Sequence, residues 1–105
     1  MEAEPVSLLS PNKAELAYMR ACKEFCIACH VEGHGRNPAH FHHILKNGKR
    51  ISHMDGFGLC NTHHASGLNN FVAVSRHPWK KAFEARFGTE QELLALTREL
   101  IGVGA

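Results

Sequence analysis

A chain of 105 residues, 44% hydrophobic and 21% charged with a formal net charge of +2, has room for one small domain whose apolar core alone is close to the lower limit for stability. No apolar run is long enough to cross a bilayer, and the opening MEAEPVSLLSPNKAE is acidic and broken by proline, unlike the basic-then-apolar pattern of a secretory leader, so a cytoplasmic location away from membranes is expected. Thiols stay reduced in that compartment, so the four cysteines argue for metal binding rather than disulfides.

Residues 1–10 read as a short flexible lead into a single domain over 11–105. Ser10 before Pro11 predicts an N-cap with proline in the first helical position, and a helix over 11–24 with Leu16, Met19 and Cys22 or Lys23 on one face. Cys22 reads as a small core residue. From Cys26 to Cys60, glycines alternate with short apolar pieces, FHHIL and KRISHM, which predict short strands. NGK at 47–49 marks a turn between them, with His43 and His53 expected on facing strands. LCNTHHAS begins a further helix, and GLNNFVAVSR is a loop. HPWKKAFEARFG predicts a helix with Pro78 near its start, Trp79, Phe83 and Phe87 turned to the core, and Gly88 as its stop. Thr89 with Glu92 forms a capping box for a last helix, whose Leu93, Leu96, Leu100 and Ile101 repeat on one face until Gly102.

Charge is unevenly divided along these elements. Residues 26–77 hold Arg36, Lys46, Lys49, Arg50 and Arg76 against Glu32 and Asp55, together with all nine histidines. A basic, histidine-rich centre suits a phosphate-bearing partner.

Two knuckles carry the metal chemistry. Cys26 and Cys29 in CIAC have the same spacing as Cys60 and His63 in CNTH, and two such pairs complete the tetrahedron zinc prefers. A structural Zn2+ in a Cys3His site is therefore expected, binding the middle of the chain to the helix that follows. His64 projects about 100° further round that helix than His63 and is free for another task. Its candidate companions are His42, His43, Asp55 and His77. One imidazole ligating while another deprotonates water is the division of labour that phosphodiester hydrolysis needs. His53 has no role fixed by spacing, and His30, His34 and His40 read as solvated loop residues.

CIAC, HHIL, SHMDGFGLCNTHH and HPWKKAFEARFG, in this order, resemble an HNH (His-Me finger) endonuclease, and more specifically the phage recombination enhancement function (Ref) family of RecA-dependent nucleases, over roughly residues 14–101. That resemblance implies an α+β fold, a small zinc-stapled ββα-metal core with flanking N- and C-terminal helices. It makes His42 a ligand of a catalytic divalent metal (Mg2+, Mn2+ or Zn2+), His43 the general base, and His64 and His77 further ligands. Asp55 stands where the family's base-orienting asparagine falls, and would orient His43 or bind the metal. Lys46, Lys49 and Arg50 would contact nucleic acid. The implied activity is hydrolysis of DNA, single-stranded or in a recombination intermediate, with a RecA-type recombinase filament as partner, in the host cytoplasm if phage-encoded. The contrasting expectation is a non-catalytic zinc module binding nucleic acid or a recombinase.

Overall fold

The first helix, α1 (Lys13–Lys23), starts later than Pro11 because Asn12 rather than Ser10 caps it. The Asn12 side chain accepts from the Glu15 amide and the Glu15 carboxylate accepts from the Asn12 amide, each at 2.8 Å. This reciprocal pair satisfies two otherwise orphaned donors. The computed structural model describes residues 10–50 and 52–102, so the expected flexible lead lies outside the described residues except for Ser10. Helix α1 buries Glu15, Tyr18 and Cys22, whereas Leu16, expected inside, is exposed. Tyr18 faces inward because its hydroxyl has a buried acceptor, the Gly56 carbonyl, at 2.8 Å.

A short helix, α2 (Ile27–Val31), occupies part of the region expected to hold only strands and turns. Cys26 is its N-cap, the sulfur accepting from the Cys29 amide at 3.4 Å. Strand β1 (His40–His43) follows, then β2 (Leu45–Lys46), β3 (Lys49–Arg50) and β4 (Gly56–Leu59). The expected turn is present between β2 and β3, with positive φ at Asn47 (54°) and Gly48 (77°), as a two-residue primed turn requires. That hairpin is only two residues deep, however, and the strand facing β1 is β4, with His40 opposite Leu59 and His43 opposite Gly56. His53 is therefore not on a facing strand; it lies in the turn that leads into β4.

Strand β4 is buried throughout. Phe57 and Leu59 enter the core, while Gly56 and Gly58 share the other face. A Cβ on Gly58 would collide with the carbonyls of Cys22 and Phe25, so the end of α1 lies directly on this strand. After β4 come α3 (Asn61–His64), α4 (Lys80–Phe87) and α5 (Glu90–Ile101). The Thr89–Glu92 capping box forms at the start of α5 as expected. The buried face of α5 is Glu90, Leu93, Leu94 and Thr97, leaving Leu100 exposed. Trp79 is likewise exposed, its indole donating to the Gly67 carbonyl at 2.8 Å, so the aromatic core stripe of α4 reduces to Phe83 and Phe87. These rings pack with Phe25, Ile27, Phe57, Leu59 and Leu93 in one core. The result is a small α+β fold of short antiparallel strands and helices, with no helix among the described residues long and apolar enough to cross a membrane.

Candidate metal centres

The loop entering α2 and the turn entering α3 bring the two predicted knuckles together. From His63 Nδ1 the sulfurs of Cys60, Cys29 and Cys26 lie at 3.2, 3.5 and 3.6 Å, and the Cys29 and Cys60 sulfurs are 3.8 Å apart. A tetrahedron with zinc–sulfur bonds of about 2.3 Å and a zinc–nitrogen bond of about 2.0 Å has edges of roughly 3.5–3.8 Å. Donor set and spacing both fit, so this cluster could hold a metal such as zinc. Burial pushes the Cys26 thiol up to about 12 and also raises Cys29, so a cation is what makes thiolates stable at neutral pH here. Cys22, fully buried on α1, stands outside the cluster as expected.

The surroundings of this centre are built for rigidity. The His63 ring meets Phe87 edge to face at 5.3 Å between centroids. Arg86 grips both carboxylate oxygens of Glu32, at 2.6 and 3.2 Å, and donates to the carbonyls of Asn70 and Val72. One side chain thus ties α4, the end of α2 and the loop after α3 together around the cysteines.

His64, next in the same turn, belongs to a second group. Its ligating nitrogen and those of His42 and His77 all lie within 4.8 Å of one another. His42 comes from β1, where it pairs with Phe57. His77 is brought in by backbone bonds: the amides of Arg76 and His77 donate to the carbonyls of His63 and His64 at 2.8 and 2.9 Å. Buried Ser75 also donates to the His77 carbonyl and accepts from the Gly67 amide. Burial, the other two histidines, His40 and Arg76 push His64 down to about 4, and burial and Arg76 lower His77, so both rings are neutral at pH 7 and offer lone pairs.

The triad lies in a cleft of about 420 Å³ that His43, Arg50 and Arg76 also line. His43 points the opposite way from His42 on β1, and its Nε2 lies 3.0 Å from His53 Nδ1. Burial, with Arg50, His53 and His42, lowers His43 to about 4. The partner expected at residue 55 is not what meets His43: the Asp55 carboxylate instead takes a bond from Arg98 at 2.8 Å, which ties the turn before β4 to α5. Of the three expected cations, Arg50 lines the cleft. Lys46 and Lys49 pair with each other on the opposite face of the small hairpin, Lys46 beside Asp55 in a different hollow. His40 is on β1 and His30 in α2 rather than in a loop, both exposed, with the His40 ring centroid 6.4 Å from that of His64; His34 is exposed as expected.

One participant was not singled out from the sequence. Glu90, in the first turn of α5, is buried, and its Oε2 accepts from His42 Nε2 and from Arg76 Nε, each at 2.8 Å. Burial alone would raise this carboxyl, but the bonds and charges of His42 and Arg76 hold it down to about 2. An acid in a first helical turn is ordinary, and nothing in the local sequence distinguishes this one.

The family model described as recombination enhancement, RecA-dependent nuclease matches residues 13–102. No curated protein matches the chain.

Proposed function

This chain belongs to the recombination enhancement, RecA-dependent nuclease family, and on that premise we propose that it is a metal-dependent endonuclease of the HNH (His-Me finger) type, hydrolysing DNA phosphodiesters in recombination together with a RecA-type filament. In this reading β1, β4 and α3 are the two strands and helix of a ββα-metal core, and Cys26, Cys29, Cys60 and His63 hold a structural Zn2+. One observation carries the proposal: three imidazoles with converging nitrogens, His42, His64 and His77, share a cleft with a fourth, His43, the residue after His42 on β1.

A divalent ion, Mg2+, Mn2+ or Zn2+, in the histidine triad would supply charge neutralisation at the scissile phosphate and the leaving 3′ oxygen. His43 does the proton work. In the tautomer this role requires, its Nε2–H is donated to His53 Nδ1, 3.0 Å away, and Nδ1 takes a proton from the water that attacks phosphorus as the P–O3′ bond breaks. His53 therefore takes the orienting role that the resemblance put on Asp55. Arg50 and Arg76, on the cleft wall, bind phosphate oxygens. Lys46 and Lys49 add sequence-independent attraction for DNA from the far face of the hairpin.

The test is nicking of circular single-stranded and supercoiled DNA with added Mg2+ or Mn2+, comparing the natural chain with His43→Ala, with and without a recombinase filament. Cleavage is expected from the natural chain, greater with the filament, and lost in the variant while zinc content and circular dichroism stay the same. Silence in every lane from zinc-containing, folded protein would refute the nuclease and favour a zinc module that binds without cutting.

A further inference from the structure

Glu90 is a carboxylate with an unusual position. It opens α5, 48 residues away in sequence from His42, yet is 8% exposed, and a single oxygen receives both His42 Nε2 and Arg76 Nε. A first-turn acid whose task was only to face its helix dipole would achieve that from solvent, without the cost of desolvation. Glu90 is not among the side chains whose ligand atoms converge within 4.8 Å; those are His42, His64 and His77. What it touches are one member of that set and one cation of the cleft wall. His42 is fixed from its other side by Phe57, its partner across the strands, with ring centroids 5.2 Å apart.

Resting on the metal triad proposed above, we infer that Glu90 is a positioning residue of the second metal centre: its carboxylate accepts Nε2–H of His42, which fixes that ring's tautomer and leaves Nδ1 for the ion, and the same oxygen anchors Arg76 at the cleft. The chemistry is general. An imidazole ligand whose second nitrogen donates to a carboxylate is held in one orientation and is more basic at the ligating nitrogen, and losing such a partner weakens metal binding by about 10- to 100-fold. The shared oxygen also couples the metal ligand to the guanidinium, so a shift of α5 would move both.

The experiment uses the full chain with zinc in the Cys3His centre and Mn2+ as probe, measured by calorimetry. Glu90→Met, which preserves bulk and removes the acceptor, is expected to weaken Mn2+ binding by about 10- to 100-fold. Glu90→Gln, whose amide oxygen still accepts from His42, is expected to lose less. Nitrogen-15 spectra of the natural chain saturated with zinc need no variant, and are expected to show the His42 proton on Nε2. A proton on Nδ1 of His42, or unchanged Mn2+ affinity in folded Glu90→Met, would overturn the inference while leaving the triad standing. Failure of the natural chain to bind Mn2+ at all would overturn the triad and this inference together.

Discussion

On the structural zinc proposed above, removing the ion from the Cys3His cluster is expected to unfold the whole chain rather than loosen one corner. Cys26 and His63 are 0% and 4% exposed, Cys26 and Cys29 belong to the core that joins α2, β4 and α4, Cys60 packs against it, and the His63 ring meets Phe87 of that core. A domain of this size has on the order of 5–15 kcal/mol of total stability, and a structural zinc held by such ligands contributes on the order of 10 kcal/mol or more. Subtracting one from the other leaves the metal-free chain with about 5 kcal/mol at most, and at or below zero over the lower half of the range. Three sulfurs and a ring nitrogen would then face one another at 3.2–3.8 Å with no cation between them. The assay is far-ultraviolet circular dichroism and thermal melting with a strong chelator under reducing conditions, followed by refilling with cobalt, whose thiolate absorption reports the rebuilt site. A metal-free chain that keeps its dichroism and melts cooperatively within a few degrees of the loaded form would refute the reasoning.

His43, held near 4, is expected to remain an unprotonated base across neutral and mildly acidic pH, so its contribution to cleavage is lost only as pH falls through about 4; nuclear magnetic resonance titration giving a value at or above 6.5 would contradict the burial argument. The same shift has a stability consequence, because His43 and His64 bind protons less readily folded than unfolded. Stability is expected to fall as pH drops from about 6.5 towards about 4, read by urea melts across that window. His53→Ala is expected to slow cleavage sharply with DNA affinity retained, whereas Asp55→Asn is expected to cost only about 1 kcal/mol of stability through its Arg98 partner; the opposite ranking would restore residue 55 to the site. Gly58→Ala puts a methyl group into the Cys22 and Phe25 carbonyls and is expected to destabilise by about 2 kcal/mol or more, and a zinc-loaded variant within about 0.5 kcal/mol of the natural chain would refute that packing.

The cysteine centre was legible because its geometry is local: each knuckle is a pair with fixed spacing, and the structure only had to bring the two pairs together. The same holds for the Asn47–Gly48 turn and the Thr89 cap. Where two local signals competed, the sequence held the answer in a second residue. Ser10 and Asn12 are both good caps, but only Asn12 has an acid three residues on to close the box. On α1 and α5 hydrophobicity rightly set Cys22, Leu93, Leu96 and Ile101 inward, but it misplaced Leu16 and Leu100 and missed buried residues that have a waiting partner: Gly56 for Tyr18, and His42 and Arg76 for Glu90. Helix α2 is too short, at five residues, to show a period. The turn at 47–49 already set His53 against His43, although through a turn rather than a facing strand, whereas Glu90 against His42 is a product of chain return of which spacing carries no trace.

The adjacency of His63 and His64 follows from the same architecture. Helix α3 is a single turn of four residues, far below the length at which a helix persists in water. Its form depends on what its side chains hold: Cys60 supplies the carbonyl that accepts the His64 amide at 2.9 Å, and Cys60 and His63 meet in the cysteine centre. His64 is thus aimed at His42 and His77 by a turn that the first centre pins. The segment carrying His77 is hung in turn from the carbonyls of His63 and His64. Two of the three imidazoles in the cleft therefore take their positions from the knuckle beside it. Placing the two histidines consecutively lets the cysteine–histidine cluster serve as the mount of the histidine cluster beside it.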